Sequence, residues 1–167
     1  MEDKNITETQ EELETTLNSY FSKLLQEPKE DREEAQREVF RHIPKLITDE
    51  QNHILGKSIE MTKVEMVVKQ MEKDKAPGPN GFTMNFFHAC WDWLKEEIWA
   101  LVEDSRKIGN ILRALNSTFL TLIPKENGTE DPGKLRLIAL CNVIYKIISK
   151  VMANHLRPLL PLIVSPE

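Results

Sequence analysis

The side chains best placed to do chemistry in these 167 residues are two cations, Lys125 and Arg136, on either side of a turn-rich loop. Lys125 follows a short apolar run, Phe119 to Ile123 and then Pro124, and Arg136 sits inside a second run, Leu135 to Leu140. Between the runs lie Asn127-Gly128 and Pro132-Gly133, dipeptides that supply positive-φ positions and a pre-set φ for turns. The pattern reads as strand, loop, strand, with strands near 118–123 and 135–140 forming one short antiparallel pair. Two cations are then fixed close together at one end of a hairpin. That arrangement suits a phosphate or a nucleic-acid backbone, and on residue types alone an ordinary charged surface is the other reading.

Other chemistries find no support. Nucleophilic catalysis needs a Ser or Cys beside a His and an orienting acid, and His42, His53, His88 and His155 are scattered without such a signature. Cys90 and Cys141 lie far apart, so neither a metal-binding CxxC nor a disulfide framework is indicated. The glycines of Pro77-Gly78-Pro79-Asn80-Gly81 lack a preceding strand and the spacing of a nucleotide fingerprint.

The charge distribution points the same way as the hairpin. The net charge of -5 divides unevenly, with 8 basic against 15 acidic residues in 1–60 and 14 against 12 in 61–167. From Pro132 to Pro166 the chain carries Lys134, Arg136, Lys146, Lys150 and Arg157 and no acid, a local field suited to a polyanion. The 40% hydrophobic and 29% charged fractions are those of a globular protein. The start MEDKNITETQ has no apolar signal core, and no apolar run is long enough to span a bilayer. An intracellular protein, in cytoplasm or nucleus, not secreted and without membrane partners, is expected.

Helices must position these groups. Thr9-Gln10-Glu11-Glu12 fits a capping box ahead of Leu13, Leu17, Tyr20, Phe21, Leu24 and Leu25, with Pro28 as the stop. Lys29 to His42 is very polar, with Val39, Phe40 and Ile43 as a thin apolar edge, and reads as a solvated helix. Thr48 to Gln51 forms a second capping box, for a helix ending at Gly56, and Thr62 to Glu65 starts another with Val64, Val67, Val68 and Met71 on one face. The turn from Pro77 to Phe82 follows. Thr83 then caps a helix whose Phe86, Phe87, Cys90, Trp91 and Leu94 share a face and which continues to Gly109. Its aromatics, all three tryptophans included, are expected in the core rather than as a stacking platform. Asn142 caps a last helix, with Val143, Ile144, Ile147, Ile148, Val151 and Met152 inward and Lys146, Ser149, Lys150 and Asn154 outward.

Four blocks in order, KDKAPGPNGF (Lys73 to Phe82), FFHACWDWL (Phe86 to Leu94), NSTFLTLIPK (Asn116 to Lys125) and LRLIALCNVIYKIISKVMANHLRPLLPLIVSPE (Leu135 to Glu167), carry a resemblance. Together they resemble the N-terminal part of the reverse transcriptase of LINE-type non-LTR retrotransposons, especially those abundant in plants. The resemblance covers roughly the last two thirds of the chain strongly; the helices before Ile59 resemble, more weakly, the segment joining endonuclease to polymerase.

It implies an α+β, mostly helical fold, the fingers portion of a right-hand polymerase. Residues 1–60 would be an acidic helical connecting segment and 61–167 a partial reverse transcriptase domain, fingers and start of palm. It implies that Lys125 and Arg136 contact the triphosphate of the incoming deoxynucleotide, and that Lys146 and Lys150 follow nucleic-acid backbone, a solvated face being the alternative for that pair. Pro77, Gly78, Pro79 and Gly81 would form a structural turn of the fingers. RNA template, DNA primer and deoxynucleotide are the partners of the intact enzyme, and magnesium is its metal. The aspartates that hold magnesium belong to palm blocks expected after Glu167, so a truncated chain that binds no metal and does not polymerise is expected.

Four positions depart from the family pattern: Asn80 stands for Asp, Leu137 for Pro, Ala139 for Ser and His155 for Arg. Loss of the proline frees the strand beside Arg136, whose role is therefore less secure than that of Lys125. Two alternatives stay open. One is a non-catalytic module whose acidic helices, 8–43, dock a protein partner; the other is a non-functional remnant of a retroelement.

Overall fold

The apolar stripes of four segments are wide enough to bury one another, and that determines where the core forms. The computed structural model describes residues 9–26 and 32–164. The chain divides into two compact units, Lys45–Leu122 with Leu137–Glu167, and Met1–Pro44 with Ile123–Arg136.

The larger unit contains α3 (Asp49–Gly56), α4 (Met61–Gln70), α5 (Met84–Ala89), α6 (Trp91–Ile108), α7 (Val143–Leu156) and α8 (Leu160–Ile163). Its core joins Val64, Val67 and Val68 of α4, Met84 and Phe87 of α5, Ile98 and Val102 of α6, and Val143, Ile147, Ile148 and Val151 of α7. α4 packs on both α6 and α7, and those two on each other. Each such side chain contributes roughly 1.5–3 kcal/mol on leaving water.

A buried polar cluster holds the segment before α4 to this core. Glu103, 3% exposed, accepts the Ile59 N–H at 2.6 Å and both Arg106 Nε (3.1 Å) and Nη2 (2.9 Å). Arg106 Nη1 also donates to the Gly56 carbonyl and Trp99 Nε1 to the Ile59 carbonyl, while His155 Nε2 lies 3.1 Å from the Leu55 carbonyl. The Arg106 guanidinium, followed by the Ile59 amide, holds the Glu103 carboxyl below its ordinary pKa against the opposing effect of burial.

Several local expectations are corrected. α4 starts at Met61 with Glu60 as its cap residue, not at Thr62, because Glu65 pairs with Lys69 at 2.6 Å rather than reaching back. The helix after Thr83 is broken at Cys90 (φ -100, ψ 12) into α5 and α6. Beyond the break Trp91 and Trp99 pack against the core, but Trp93, on the opposite side of α6, is 86% exposed. Gly109 ends α6 in the left-handed region at φ 68, a conformation glycine adopts at no steric cost.

The smaller unit contains α1 (Gln10–Leu25) and α2 (Arg32–His42). The α1 capping box is formed: Thr9 Oγ1 accepts the Glu12 N–H and Glu12 Oε2 accepts the Thr9 N–H. Of its apolar residues only Phe21 is buried. α2 buries nothing and is laced by the exposed pairs Arg37–Glu33 and Arg41–Glu38, worth a few tenths of a kcal/mol each. The stop expected at Pro28 lies outside the described residues.

Candidate functional site

Among the described residues, strands β1 (Thr118–Pro124) and β2 (Leu135–Cys141) pair with each other alone. The Lys125 N–H donates to the Lys134 carbonyl at one end, and Thr118 Oγ1 meets Cys141 Sγ at 3.5 Å at the other. These two pairs share one antiparallel register, which places Ile123 opposite Arg136. Because Lys125 and Lys134 form a hydrogen-bonded pair and such pairs alternate, Leu137 opposite Leu122 is a non-hydrogen-bonded position. Its N–H faces the open edge. A proline there would remove no ladder bond.

The register puts Lys125 and Arg136 on the same face as diagonal neighbours, with Cβ atoms about 7 Å apart. Both are exposed. Lys125 Nζ donates to the Gly133 carbonyl at 2.9 Å, which pins its ammonium to its own loop. Among the described residues nothing bonds to the Arg136 guanidinium.

Gly128 takes the expected left-handed conformation at φ 73, whereas Gly133 does not; Pro132–Lys134 forms a single 3-10 turn capped by Asp131 Oδ1 on the Gly133 N–H. A Cβ at Gly133 would meet Tyr20 Oη of α1 at 3.3 Å, so α1 lies directly against this loop. Glu126, Glu130 and Asp131 share the loop with Lys125, Lys134 and Arg136, and Lys134 reaches Glu126 at 3.6 Å. The tip is therefore balanced in charge: it sets two cations side by side without a broad basic field around them.

The other sequence-predicted residues belong to the larger unit. Pro77, Gly78, Pro79 and Gly81 do come together, in a turn closed by the Gly81 N–H on the Gly78 carbonyl at 3.0 Å, with Gly81 at φ 75. Gly78 is buried directly on the chain between β2 and α7: a Cβ there would stand 2.4 Å from the Asn142 nitrogen. Asn80 Oδ1 accepts the Phe82 N–H, a bond that an aspartate oxygen could accept equally.

Lys146 is half-buried and donates to the Ala76 carbonyl at 3.0 Å, so its head braces the approach to this turn instead of standing outward. Lys150 is exposed. Asn142 is not the side-chain cap its position suggested. It is 1% exposed, makes no cap bond, and turns its amide toward the turn and the segment before β1. Nothing in an Asn before an apolar helix distinguishes that use from a cap. Glu103 and Arg106 were also missed, although an acid four residues after Trp99 on the inward face of α6 is the signal that would have found them.

Among the described residues no three His, Cys, Asp or Glu side chains converge on a common point. The donor set for magnesium is not assembled by them. Nor is any helix among them long and apolar enough to cross a membrane.

Against this geometry, comparison with known proteins gives one informative match. The chain is similar to a transposon protein. It is 23% identical over 134 residues to the Transposon TX1 uncharacterized 149 kDa protein of Xenopus laevis. The aligned region covers 80% of this chain and 10% of that protein, so the chain spans about a tenth of the curated relative it matches. No protein-family model matches the sequence.

Proposed function

We propose that this chain is the fingers-side part of the RNA-directed DNA polymerase of a LINE-type non-LTR retrotransposon of the plant kind, and that its hairpin tip holds the triphosphate of the incoming deoxynucleotide. The observation that carries the reading is the placement of Lys125 and Arg136 on one face, diagonal to each other and, among the described residues, without a carboxylate bond. Similarity to a transposon protein along most of the chain supports the retroelement setting.

The division of labour follows from the side chains. Arg136 offers a planar fork of donors matched to two phosphate oxygens, and Lys125 a compact point charge whose carbonyl tether is exchanged for a phosphate. Both act by neutralising charge and orienting the nucleotide. Template RNA and DNA primer are the macromolecular partners in this reading. Lys150 is the exposed cation of α7 that would meet their backbone, while Lys146 serves the fold.

Titration of a fluorescent deoxynucleoside triphosphate into the chain tests it. Binding should weaken as salt rises and fall at least tenfold in the Lys125→Ala/Arg136→Ala double variant. Equal affinity in that variant and the unaltered chain would refute the assignment.

A second reading has its own observation: α2 exposes Val39 and Phe40 beside its charged residues, with Ile43 exposed just past its end, as a helix that docks a protein would. Capture of one specific partner by 1–44, abolished by Phe40→Asp, would favour it.

A further inference from the structure

A two-stranded ribbon has little to hold its register; among the described residues no third strand joins this one, and it lacks the usual safeguard. β1 carries Phe119 and Ile123 on one face and Leu120 and Leu122 on the other, and β2 is likewise apolar on both. A one-residue slip would exchange one apolar set for another. It would also move Arg136 to the face opposite Lys125.

The base of the hairpin is where a slip is resisted. Asn142 follows β2 immediately, and its Nδ2 lies 3.2 Å from the Leu115 carbonyl, 3.3 Å from the Ser117 carbonyl and 3.2 Å from Ser117 Oγ, in the segment that leads into β1. The Ala114 carbonyl is 3.4 Å away, so two amide protons are shared among four acceptors. The Oδ1 atom accepts the Asn80 N–H at 3.1 Å from the glycine-proline turn. That turn in turn rests on the Asn142 backbone through Gly78, where no Cβ fits.

We infer that Asn142, wedged by the Gly78 turn, is the register pin of the hairpin and thereby a positioning residue for Lys125 and Arg136. A slip of one residue would shift the amide by about 3.3 Å along the strand and strip a fully buried group of its partners. The PGPNG turn thus has a defined task. It closes the third side of the cage in which the Asn142 amide is held.

The functional consequence rests on the reading of the tip as a triphosphate contact; the register claim does not. The test uses the whole chain in a Cys90→Ser background, with two readouts, hydrogen exchange and deoxynucleoside triphosphate affinity. In Asn142→Ala, protection of the Lys125 amide, bonded to Lys134 far from the substitution, should fall at least tenfold while that of Ile147 in the core is retained, and affinity should fall with it. Thr118→Cys faces Cys141 at a non-hydrogen-bonded pair, a spacing a disulfide can bridge. Oxidising that pair in the Asn142→Ala chain should restore both readouts, which repair of a general packing defect would not explain.

If Asn142→Ala loses Ile147 protection too, Asn142→Asp, which keeps the acceptor for Asn80 but not the donors, takes its place in the same comparison. Unchanged Lys125 protection, or a disulfide that restores neither readout, would overturn the inference. Should exchange behave as described while the unaltered chain binds no triphosphate, the pin stands and the reading of the tip falls.

Discussion

The two ends of the hairpin are built on opposite principles. At its base Asn142 is buried, every polar atom of its amide has a partner, and Gly78 leaves no room even for a methyl group. At its tip Lys125 and Arg136 are exposed, and among the described residues the only bond to either head is the Gly133 carbonyl on Lys125. A buried, satisfied amide specifies a conformation and has no capacity left for a ligand. Exposed cations with spare donors specify little and can still bind. The same contrast separates the larger unit, with its continuous core, from α1 and α2, which bury one apolar residue between them.

Substitutions that attack the buried side of this contrast should have the largest effects. Glu103→Ala leaves the Arg106 guanidinium, itself mostly buried, without its carboxylate, and should cost about 4 kcal/mol in denaturant unfolding. Its carboxyl is held below the ordinary carboxylate pKa chiefly by Arg106, so the folded state binds the proton less readily than the unfolded chain. The stabilisation is therefore complete above the unfolded value, about pH 4.3, and is lost as pH falls through the lower folded value. A Glu103→Gln chain should show a flatter loss of unfolding temperature across that acid range.

Gly78→Ala comes next, at about 3 kcal/mol, because the added carbon meets backbone rather than a flexible side chain. A loss below about 0.5 kcal/mol would mean that the turn is not seated as described. On the open side, Phe40→Ala should stay within about 0.5 kcal/mol, since α2 buries none of its residues. A larger loss there would erase the contrast between the two units.

What could be read in the sequence follows the same line. Both capping boxes, at Thr9 and Thr48, and the inward faces of α4 and α7 were legible because caps and helical periodicity are local signals. The strand pair was legible from its apolar runs and the Asn127-Gly128 turn. Its register was not, since both faces are apolar, and register is what decides whether Lys125 and Arg136 share a face. The burial of Gly78 against Asn142 and the bond from Lys146 to Ala76 were equally hidden, because they join segments more than sixty residues apart and use residue types that serve in any turn or on any helix surface. Trp93 stands two residues from Trp91 on α6, about 200° round the helix, so once Trp91, Leu94 and Ile98 face the core Trp93 must face away; its residue type alone suggested burial.

In the proposed function the hairpin tip, and not the basic side chains of α7, receives the triphosphate. Inorganic triphosphate titrated into the isotopically labelled chain addresses it directly by amide chemical shifts. The account predicts saturating shifts at Lys125, Gly133, Lys134 and Arg136 that compete with a deoxynucleoside triphosphate. Shifts confined to Lys146 and Lys150, or none that saturate at the tip, would contradict it.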